Sequence, residues 1–540
     1  MNKSNKYIDY IPFVFFFILY LFLLSQNLSI THDSIEYIQL ISSQDIYFHP
    51  NHLIYQPALL LLVTTLSKVT GIVDIQLVTE SVGAFFGALA IQAGYLIMTK
   101  RLCIEANYVW AGIAAIGFSF GIWYYSIAIE VYIFSLCFIA WAFYFLSSEQ
   151  MSYRLVMAAA ILQSLAIIFH QAAVLFSFVP LVALLTIKGI SLSQKIKFLG
   201  LYIAIGTIIV TAAYIGVAIV EGQADSVDGF ISWFFGVGGS DRYWNELTPK
   251  TILLAAVGFG RALIGAHFMF GIPQIKELFQ SFFPGNTLED EIFFAQETSQ
   301  VIVYLLAALS IVVIFLIVFM VLRALINFIN GNYRSPLRGV ILLLFWMIPF
   351  TLFFIAWDPS NADLWVIQVF VFWILITTLL NNSKNKKTSN FISLATCGVF
   401  LLIINGLGSV LPANDPELDL NRVTVKQLKK HVGPQDQLII GDGWPLLGHI
   451  DYHSEIHVIA MSDIYNEIEI DEFLDQVRVQ FENNEKVFIY GDVINSARSS
   501  IEYYGEQYVN YLDEIRKNIC GADEIVLIDE ISLYRLTCIN

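Results

Sequence analysis

The chain has 540 residues, of which 57% are hydrophobic and 14% are charged, and its mean hydropathy is +0.67. This composition excludes a soluble globular protein of that size, because long apolar stretches indicate membrane spans. A net charge of −16 without a basic stripe argues against nucleic-acid binding.

Apolar runs predict about 11 transmembrane helices, because each is long enough to cross roughly 30 Å of hydrocarbon. The runs lie near residues 10–28, 74–98, 107–126, 131–147, 154–169, 171–187, 198–220, 299–324, 338–357, 361–381 and 390–410. The first run follows Lys3 and Lys6 but precedes no small-residue cleavage site, so we interpret it as a span and not as a signal peptide.

Two further apolar runs, 53–70 and 251–271, are ambiguous, and the distribution of basic residues decides between the options. If neither run spans and the N-terminus is cytoplasmic, fourteen of the nineteen Lys and Arg residues before residue 411 lie inside. We therefore interpret both runs as juxtamembrane helices on the outer face. The predicted transmembrane domain is 1–410, with a first outer loop at 29–73 and a large outer loop at 221–298.

From about residue 414 the composition changes and indicates an α/β domain, 411–540, which the predicted topology places outside the cytoplasm. The segments QLIIG, IHVIAM, KVFIYG, EIVLID and SLYRLT are typical of strands, and Glu469 to Asn484 and Ala497 to Ile519 are typical of amphipathic helices. No GxGxxG or P-loop is present, so no nucleotide is assigned. The five cysteines form no metal-spaced set. Only Cys520 and Cys538 lie outside the membrane region, which leaves a disulfide between them as one option.

The first outer loop concentrates acids and histidines between Thr31 and Gln56. Its candidates are Asp33, Glu36, His49 and His52. Ionisable groups beside a bilayer are costly unless water or partners receive them, so such a cluster is a hypothesis for a functional site. The alternative is a polar surface loop in which Pro50 starts the next helix.

Four candidates follow later in the chain, and each also has a structural explanation. Glu130 would open a helix, where the macrodipole favours an acid. His170 would cap the turn between two spans, and Asp358 lies in an Asp-Pro-Ser-Asn turn. Arg261 would bind a lipid phosphate or snorkel to the surface. The predicted topology places all the candidates on the outer face, and such convergence is typical of an active site or ligand site.

Three segments resemble a known family. They are Asp33 with Glu36 after the first span, HPNHLIY at 49–55, and FSFGIWYYSIAIEVY at 118–132. The last is similar to the signature of the membrane glycosyltransferases first described as a family of unknown function, DUF2723, which are similar to protein O-mannosyltransferases. His170 matches a histidine that this family places after its fifth span. The sequence departs from the family at Asn51 and His52, where Pro-Gly is usual.

The resemblance implies a GT-C fold and a glycosyltransferase, hexosyl- or mannosyltransferase-like, that uses a polyprenyl-phosphate-linked sugar. It places the catalytic carboxylate at Asp33, which would act as the general base. The acceptor hydroxyl belongs to a protein, a lipid or a glycan. A carboxylate can remove the acceptor proton, and displacement from one face implies inversion. In this hypothesis Glu130 and His49 position the acceptor or the base, and His52, His170 and Arg261 receive the phosphate.

Other interpretations stay open at this stage. No cofactor is predicted, and a divalent cation is the less favoured option because no His and acid spacing is metal-like. The alternative function is a lipid flippase or transporter, although few ionisable residues lie within the spans. A non-enzymatic sensor would not need so many spans. The expected location is a prokaryotic plasma membrane, with the N-terminus in the cytoplasm and residues 411–540 outside.

Overall fold

The computed structural model describes residues 8–31, 33–71, 73–236, 244–282, 289–296, 298–331, 335–381, 387–482, 486–494, 505–528 and 531–539. Helices in the first part of the chain are α1 (Ile11–Phe22), α2 (Asp33–Ser42), α3 (Tyr55–Thr70), α4 (Ile75–Leu96), α5 (Ala106–Phe118), α6 (Phe120–Ile127), α7 (Tyr132–Leu146), α8 (Tyr153–Phe169) and α9 (Phe178–Thr186). Helices in the middle part are α10 (Leu192–Val220), α11 (Val227–Phe235), α12 (Pro249–Leu263), α13 (Pro273–Phe282), α14 (Glu289–Gln296), α15 (Gln300–Ile329), α16 (Leu337–Ala356), α17 (Val366–Leu380) and α18 (Lys387–Asn405).

The C-terminal part alternates helices and strands. They are α19 (Leu411–Ala413), α20 (Leu420–Leu428), β1 (Gln437–Ile440), α21 (Leu446–His453), β2 (His457–Ala460), α22 (Met461–Ile464), α23 (Ile470–Glu482), β3 (Val487–Tyr490), α24 (Gly491–Ile494), α25 (Glu506–Asn518), β4 (Ile519–Ile528) and β5 (Ile531–Ile539).

All eleven predicted runs correspond to apolar helices among the described residues, but not all of these helices are long enough to cross a membrane. Among the described residues, five helices are long and apolar enough to cross a membrane, and the bent pair α5 and α6 is a sixth candidate. The remaining runs correspond to shorter apolar helices at Ile11–Phe22, Tyr132–Leu146, Tyr153–Phe169, Gln171–Thr186 and Val366–Leu380. The prediction of a polytopic α-helical membrane protein is confirmed.

The run at 107–126 is a broken helix, where the sequence predicted one continuous span. Ser119 has an extended backbone (φ −65°, ψ 138°), and α5 meets α6 at 57°. A helix break inside a membrane protein exposes backbone groups that must find partners. Here Asn405 Nδ2 donates to the Phe118 carbonyl at 2.7 Å, and Trp373 Nε1 donates to Ser119 Oγ at 2.9 Å. Neighbouring helices therefore stabilise the break.

The ambiguous runs 53–70 and 251–271 form α3 and α12. Neither helix is among the described helices that are candidates for crossing a membrane. The second run is not one helix, because α12 ends at Leu263 and a 3₁₀ turn begins at His267. The Gly265 N–H donates to Asn405 Oδ1 at 2.9 Å, which satisfies the backbone after the helix end. The position of α3 and α12 at the outer surface stays a prediction.

The chain divides into two compact units. The first comprises Met1–Ser25, Gln44–Ala266 and Val301–Pro412, and the second comprises Gln26–Ser43, His267–Gln300 and Ala413–Asn540. The first unit holds the bundle of apolar helices. The second combines the C-terminal part with two distant segments, one of which contains α2.

Glycines allow close helix packing in the first unit. A Cβ at Gly87 would lie 2.0 Å from Ser126 Oγ, and one at Gly112 would lie 2.6 Å from Thr377 Oγ1. The first glycine lets α4 approach α6, and the second lets α5 approach α17. Small residues at such contacts are typical of membrane helix packing.

The second unit contains a five-stranded sheet, with the order β2-β1-β3-β5-β4. The strands β2, β1 and β3 are parallel, and β5 pairs antiparallel with β3 and β4. Helices α23 and α25 pack on one core cluster through Phe473 and Leu512, and α20 and α21 pack on a second through Val425 and Ile450. The predicted α/β domain is therefore present.

The predicted strands all exist, whereas the helix boundaries differ. Helix α23 ends at Glu482, and the predicted continuation to Asn484 lies outside the described residues. Helix α25 begins at Glu506, while the predicted start at Ala497 also lies outside them. Cys520 and Cys538 form a disulfide on β4 and β5, with a Cα–Cα distance of 5.1 Å that suits such a bond.

Candidate active site

The HPNH segment forms a 3₁₀ turn that a histidine caps. His49 precedes the turn Pro50–His52, and its Nδ1 accepts the backbone N–H of Asn51 at 3.2 Å. Tyr214 of α10 holds the turn, because its hydroxyl donates to the Pro50 carbonyl at 2.9 Å. The His49 ring and the backbone of the turn are thus held by hydrogen bonds.

His170 repeats this arrangement between α8 and the next 3₁₀ turn, Gln171–Ser177. Its Nδ1 accepts the backbone N–H of Ala172 at 3.2 Å, as expected for a turn-capping histidine. A neutral imidazole whose Nδ1 accepts must carry its proton on Nε2. His49 and His170 therefore each offer an Nε2–H donor when they are neutral.

Three histidines and two tyrosines form a chain of contacting rings, which we call the histidine–tyrosine cluster (His49, His52, His170, Tyr132 and Tyr125). The ring centroid of His52 lies 5.2 Å from that of His49 and 5.0 Å from that of His170. Tyr132 lies 5.0 Å from His170 and 6.0 Å from Tyr125. The cluster lies where α6 and α8 end and where α7 begins.

Burial and mutual repulsion keep the three histidines neutral. Burial lowers the pKa of His49 from 6.5. Burial, with the charges of His170 and His49, lowers the pKa of His52 well below 6.5. Burial, with the charge of His49, lowers the pKa of His170 to about 4. All three rings are therefore neutral hydrogen-bonding groups near pH 7.

Carboxylates and an arginine surround the tyrosine end of the cluster. The Tyr125 hydroxyl donates to Asp363 Oδ1. Glu130, Asp363 and Arg261 all act electrostatically on the Tyr125 hydroxyl. Glu130 is only 2% exposed. The structure thus collects two acids and one guanidinium at one end of the cluster.

Glu130 and Arg261 reach this position in ways that the sequence did not predict. Glu130 does not open α7, because Val131 occupies the cap position and the helix begins at Tyr132. Arg261 lies one turn after Gly258 on α12, and a Cβ at Gly258 would be 2.4 Å from the Pro359 carbonyl. This close approach brings the face of α12 that carries Arg261 against the turn that follows α16.

Asp358 is part of that turn. Its backbone has φ +36°, and its carbonyl accepts the Asn361 N–H at 3.3 Å. Trp365 Nε1 donates to the Pro359 carbonyl at 2.9 Å. These bonds hold the segment that delivers Asp363 to Tyr125.

Asp33 and Glu36 belong to the second unit. Both lie in the first turn of α2, where the macrodipole favours acids. Asp33 is half-buried. Glu36 is exposed, yet the surrounding protein atoms raise the pKa of its carboxyl from 4.5. The other predicted candidates belong to the first unit.

Sequence reasoning missed Asp363 and Tyr125. Asp363 follows Asp358 by five residues in WDPSNADLW, and Tyr125 lies inside the motif FSFGIWYYSIAIEVY. The available signal was a second acid in the same turn and a tyrosine five residues before Glu130. Among the described residues, no group of three or more His, Cys, Asp or Glu side chains could hold a metal ion.

Solved structures of membrane glycosyltransferases share this fold. ArnT from Cupriavidus metallidurans, bound to undecaprenyl phosphate, is 11% identical, with a TM-score of 0.53 over 98% of this chain and 98% of that chain. The archaeal oligosaccharyltransferase AglB from Archaeoglobus fulgidus, in complex with an inhibitory peptide and a dolichol-phosphate, is 13% identical, with a TM-score of 0.52 over 95% of this chain and 73% of that chain.

At these identities the similarity shows the fold alone, and the predicted GT-C-like fold class is confirmed. No family model matches the chain, and no curated protein is significantly similar to it.

Proposed function

We propose that this protein is a glycosyltransferase that moves a sugar from a polyprenyl phosphate to an acceptor hydroxyl. One observation carries the proposal. A fold whose solved examples hold undecaprenyl phosphate or dolichol-phosphate contains here a cluster of neutral histidines, one buried acid, one half-buried acid and an arginine. The resemblance to the DUF2723 glycosyltransferases supports the same activity and a hexosyl or mannosyl donor.

The histidine–tyrosine cluster suits the phosphate of the donor. His49 and His170 carry their protons on Nε2, so each can donate one hydrogen bond to a phosphate oxygen. Hydrogen bonds to a charged group contribute about 1.5–3 kcal/mol each. Arg261 adds a positive charge that compensates the anion released when the glycosidic bond breaks. His52 packs between the two donors and fixes their rings.

Asp33 is the proposed general base, with the resemblance as its support. It would remove the proton of the acceptor hydroxyl while the C1–O bond to the phosphate breaks and the new C1–O bond forms on the opposite face. The sugar is therefore transferred with inversion, and the proton leaves on Asp33. Glu36, in the same turn of α2, would act on the Asp33 carboxylate through its charge. Glu130 and Asp358 are the proposed acceptor-positioning residues.

The proposed location is a prokaryotic plasma membrane. The N-terminus would lie in the cytoplasm, and the α/β domain would lie outside. The apolar helices require a membrane, and the disulfide Cys520–Cys538 favours an oxidising compartment for the α/β domain. The partners are a polyprenyl-phosphate sugar, membrane lipids and a protein, lipid or glycan that carries the acceptor hydroxyl.

The experiment uses purified full-length protein in nanodiscs with radiolabelled polyprenyl-phosphate hexoses, one at a time, and membrane extract as acceptor. The expected result is label in a new product, release of polyprenyl phosphate in equal amount, and an inverted anomeric centre. Arg261→Gln should weaken donor binding at least tenfold, because it removes the positive charge. Intact donor that scrambles between leaflets without cleavage would overturn the proposal in favour of a flippase.

A further inference from the structure

The segment 26–43, which carries α2, is fastened to the C-terminal part of its own unit. The backbone N–H groups of Gln26 and Asn27 donate to the Ala413 carbonyl at 2.8 and 3.1 Å. Asn27 Nδ2 donates to the Leu418 carbonyl at 2.9 Å. The contact joins residues almost 400 positions apart in sequence and begins directly after the first apolar helix.

Asp419 is the centre of this attachment. Its side chain is fully buried, and it accepts hydrogen bonds from the Leu28 N–H at 2.8 Å, the Ser29 hydroxyl at 2.5 Å and the Arg422 N–H at 3.0 Å. Two of these three donors belong to the 26–43 segment, and the third caps α20. Burying a carboxylate costs folding free energy unless hydrogen bonds satisfy its oxygens. The geometry of these three hydrogen bonds is therefore strictly defined.

Ser29 collects further partners from the same unit. Asn421 Nδ2 donates to Ser29 Oγ at 2.9 Å and to Asp290 Oδ1 at 3.1 Å. The His449 Nε2 lies 3.4 Å from Ser29 Oγ, and His449 is also fully buried. Through Ser29 and Asn421, all three segments of the second unit are therefore linked.

Two further groups of hydrogen bonds lie between this attachment and α2. Asn27 Oδ1 accepts the N–H groups of Ser29 and Ile30, each at 3.0 Å. The Ser34 N–H donates to the Thr31 carbonyl at 2.8 Å, and the Thr31 and Ser34 hydroxyls are 2.5 Å apart. Helix α2 begins at Asp33 within this turn.

Helix α21 holds the other end of α2. Gln39 Nε2 donates to Asp451 Oδ2 at 2.7 Å. A Cβ at Gly448 would lie 3.2 Å from Ile35, so the two helices pack closely. Both ends of α2 are thus fixed by residues from the region after 412.

We infer that Asp419 is a positioning residue that fixes α2 and, through it, the carboxylate of Asp33. This inference rests on the proposed function for its kinetic consequence but not for its structural one. It gives the C-terminal region a role in orienting the proposed base. Simple packing would not need a buried carboxylate that bonds two successive residues of the segment.

The test compares Asp419→Asn with wild type and with Asp471→Asn, a matched control on the exposed face of α23. The asparagine keeps the shape of the side chain but places an amide donor against Leu28 or Ser29. Hydrogen exchange is measured on the full chain in nanodiscs. We expect the amides of 33–42 to exchange at least tenfold faster in Asp419→Asn, while the amides of β1 and β3 and all amides of the control are unchanged.

Turnover supplies the second readout. Asp419→Asn should lower kcat roughly 10- to 100-fold with the donor KM within about twofold of wild type, because small misplacements of a base cost rate and not binding. In an Asp33→Asn background the same change should have no further effect. An equal loss in both backgrounds, or unchanged exchange of 33–42, would overturn the inference.

The two readouts separate the inference from the proposed function. If no donor is turned over, the proposed function fails, and hydrogen exchange alone still decides whether Asp419 fixes α2. If Asp419→Asn unfolds the sheet, Gln39→Leu provides a milder variant at the other end of α2. It should also increase exchange in 33–42, and unchanged exchange there would overturn the inference.

Discussion

We predict that the first unit loses stability in mild acid, because its three clustered histidines are neutral in the folded protein. The pKa of His170 is about 4 in the folded protein and 6.5 in an exposed histidine. A lowered folded pKa stabilises the protein above pH 6.5, and this contribution is lost as the pH falls towards 4. At pH 5 the loss from His170 alone is about 2 kcal/mol. His49 and His52 act in the same direction.

The variant His170→Asn should remove this sensitivity. An asparagine oxygen can still accept the Ala172 N–H, but it does not titrate. Wild type should lose roughly 4 °C in unfolding midpoint between pH 8 and pH 5, at about 2 °C per kcal/mol. The unfolding midpoint of His170→Asn should fall clearly less over the same pH range. His431→Asn, at an exposed histidine, is the matched control and should behave like wild type.

Buried thiols provide the assay. Cys137 and Cys397 are buried in the first unit, whereas Cys103 is exposed and the other two cysteines form the disulfide. In a Cys103→Ser background, samples are heated at each pH, returned to pH 7 and labelled with a fluorescent maleimide. Equal midpoint losses in wild type and His170→Asn would refute the assignment of acid sensitivity to the cluster.

Helix packing and the acid–tyrosine pair give two more predictions. Gly87→Ala should destabilise the first unit by about 1–3 kcal/mol, because its Cβ would meet Ser126 Oγ at 2.0 Å. Gly200→Ala, which has open space around its Cβ, should be neutral or stabilising in the same thermal assay. Tyr125→Phe should lower transfer about tenfold by removing the donor to Asp363, at unchanged expression and melting behaviour. Wild-type turnover in Tyr125→Phe would exclude that pair from the site.

The sequence predicted most of the fold, because its signals are local. Apolar runs define the spanning helices, and period-two segments such as QLIIG define the strands. The break at Ser119 was not predicted, because it depends on Trp373 and Asn405, which are distant in sequence. The division into two units could not be predicted either. It depends on buried hydrogen bonds such as Leu28 to Asp419, whose partners are 391 residues apart.

The site was predicted in part. The histidines were found because they are rare in this chain and lie next to apolar runs. Asp363 was missed because an acid after Asp-Pro-Ser-Asn is also ordinary turn chemistry. The prediction that Glu130 starts a helix was wrong by two residues, because Val131 takes the cap position. The roles of Asp33, Glu36 and the other candidates remain predictions.

The most direct test of the glycosyltransferase proposal is sugar transfer by wild type and Asp33→Asn, prepared and assayed side by side. Loss of a general base typically costs about 10²–10⁴ in rate. The expected result is transfer with release of polyprenyl phosphate by wild type, and a loss of at least 10²-fold by Asp33→Asn with an unchanged melting curve. Transfer by Asp33→Asn within about tenfold of wild type would contradict the role of Asp33. An absence of cleavage by wild type with every donor would contradict the proposed activity itself.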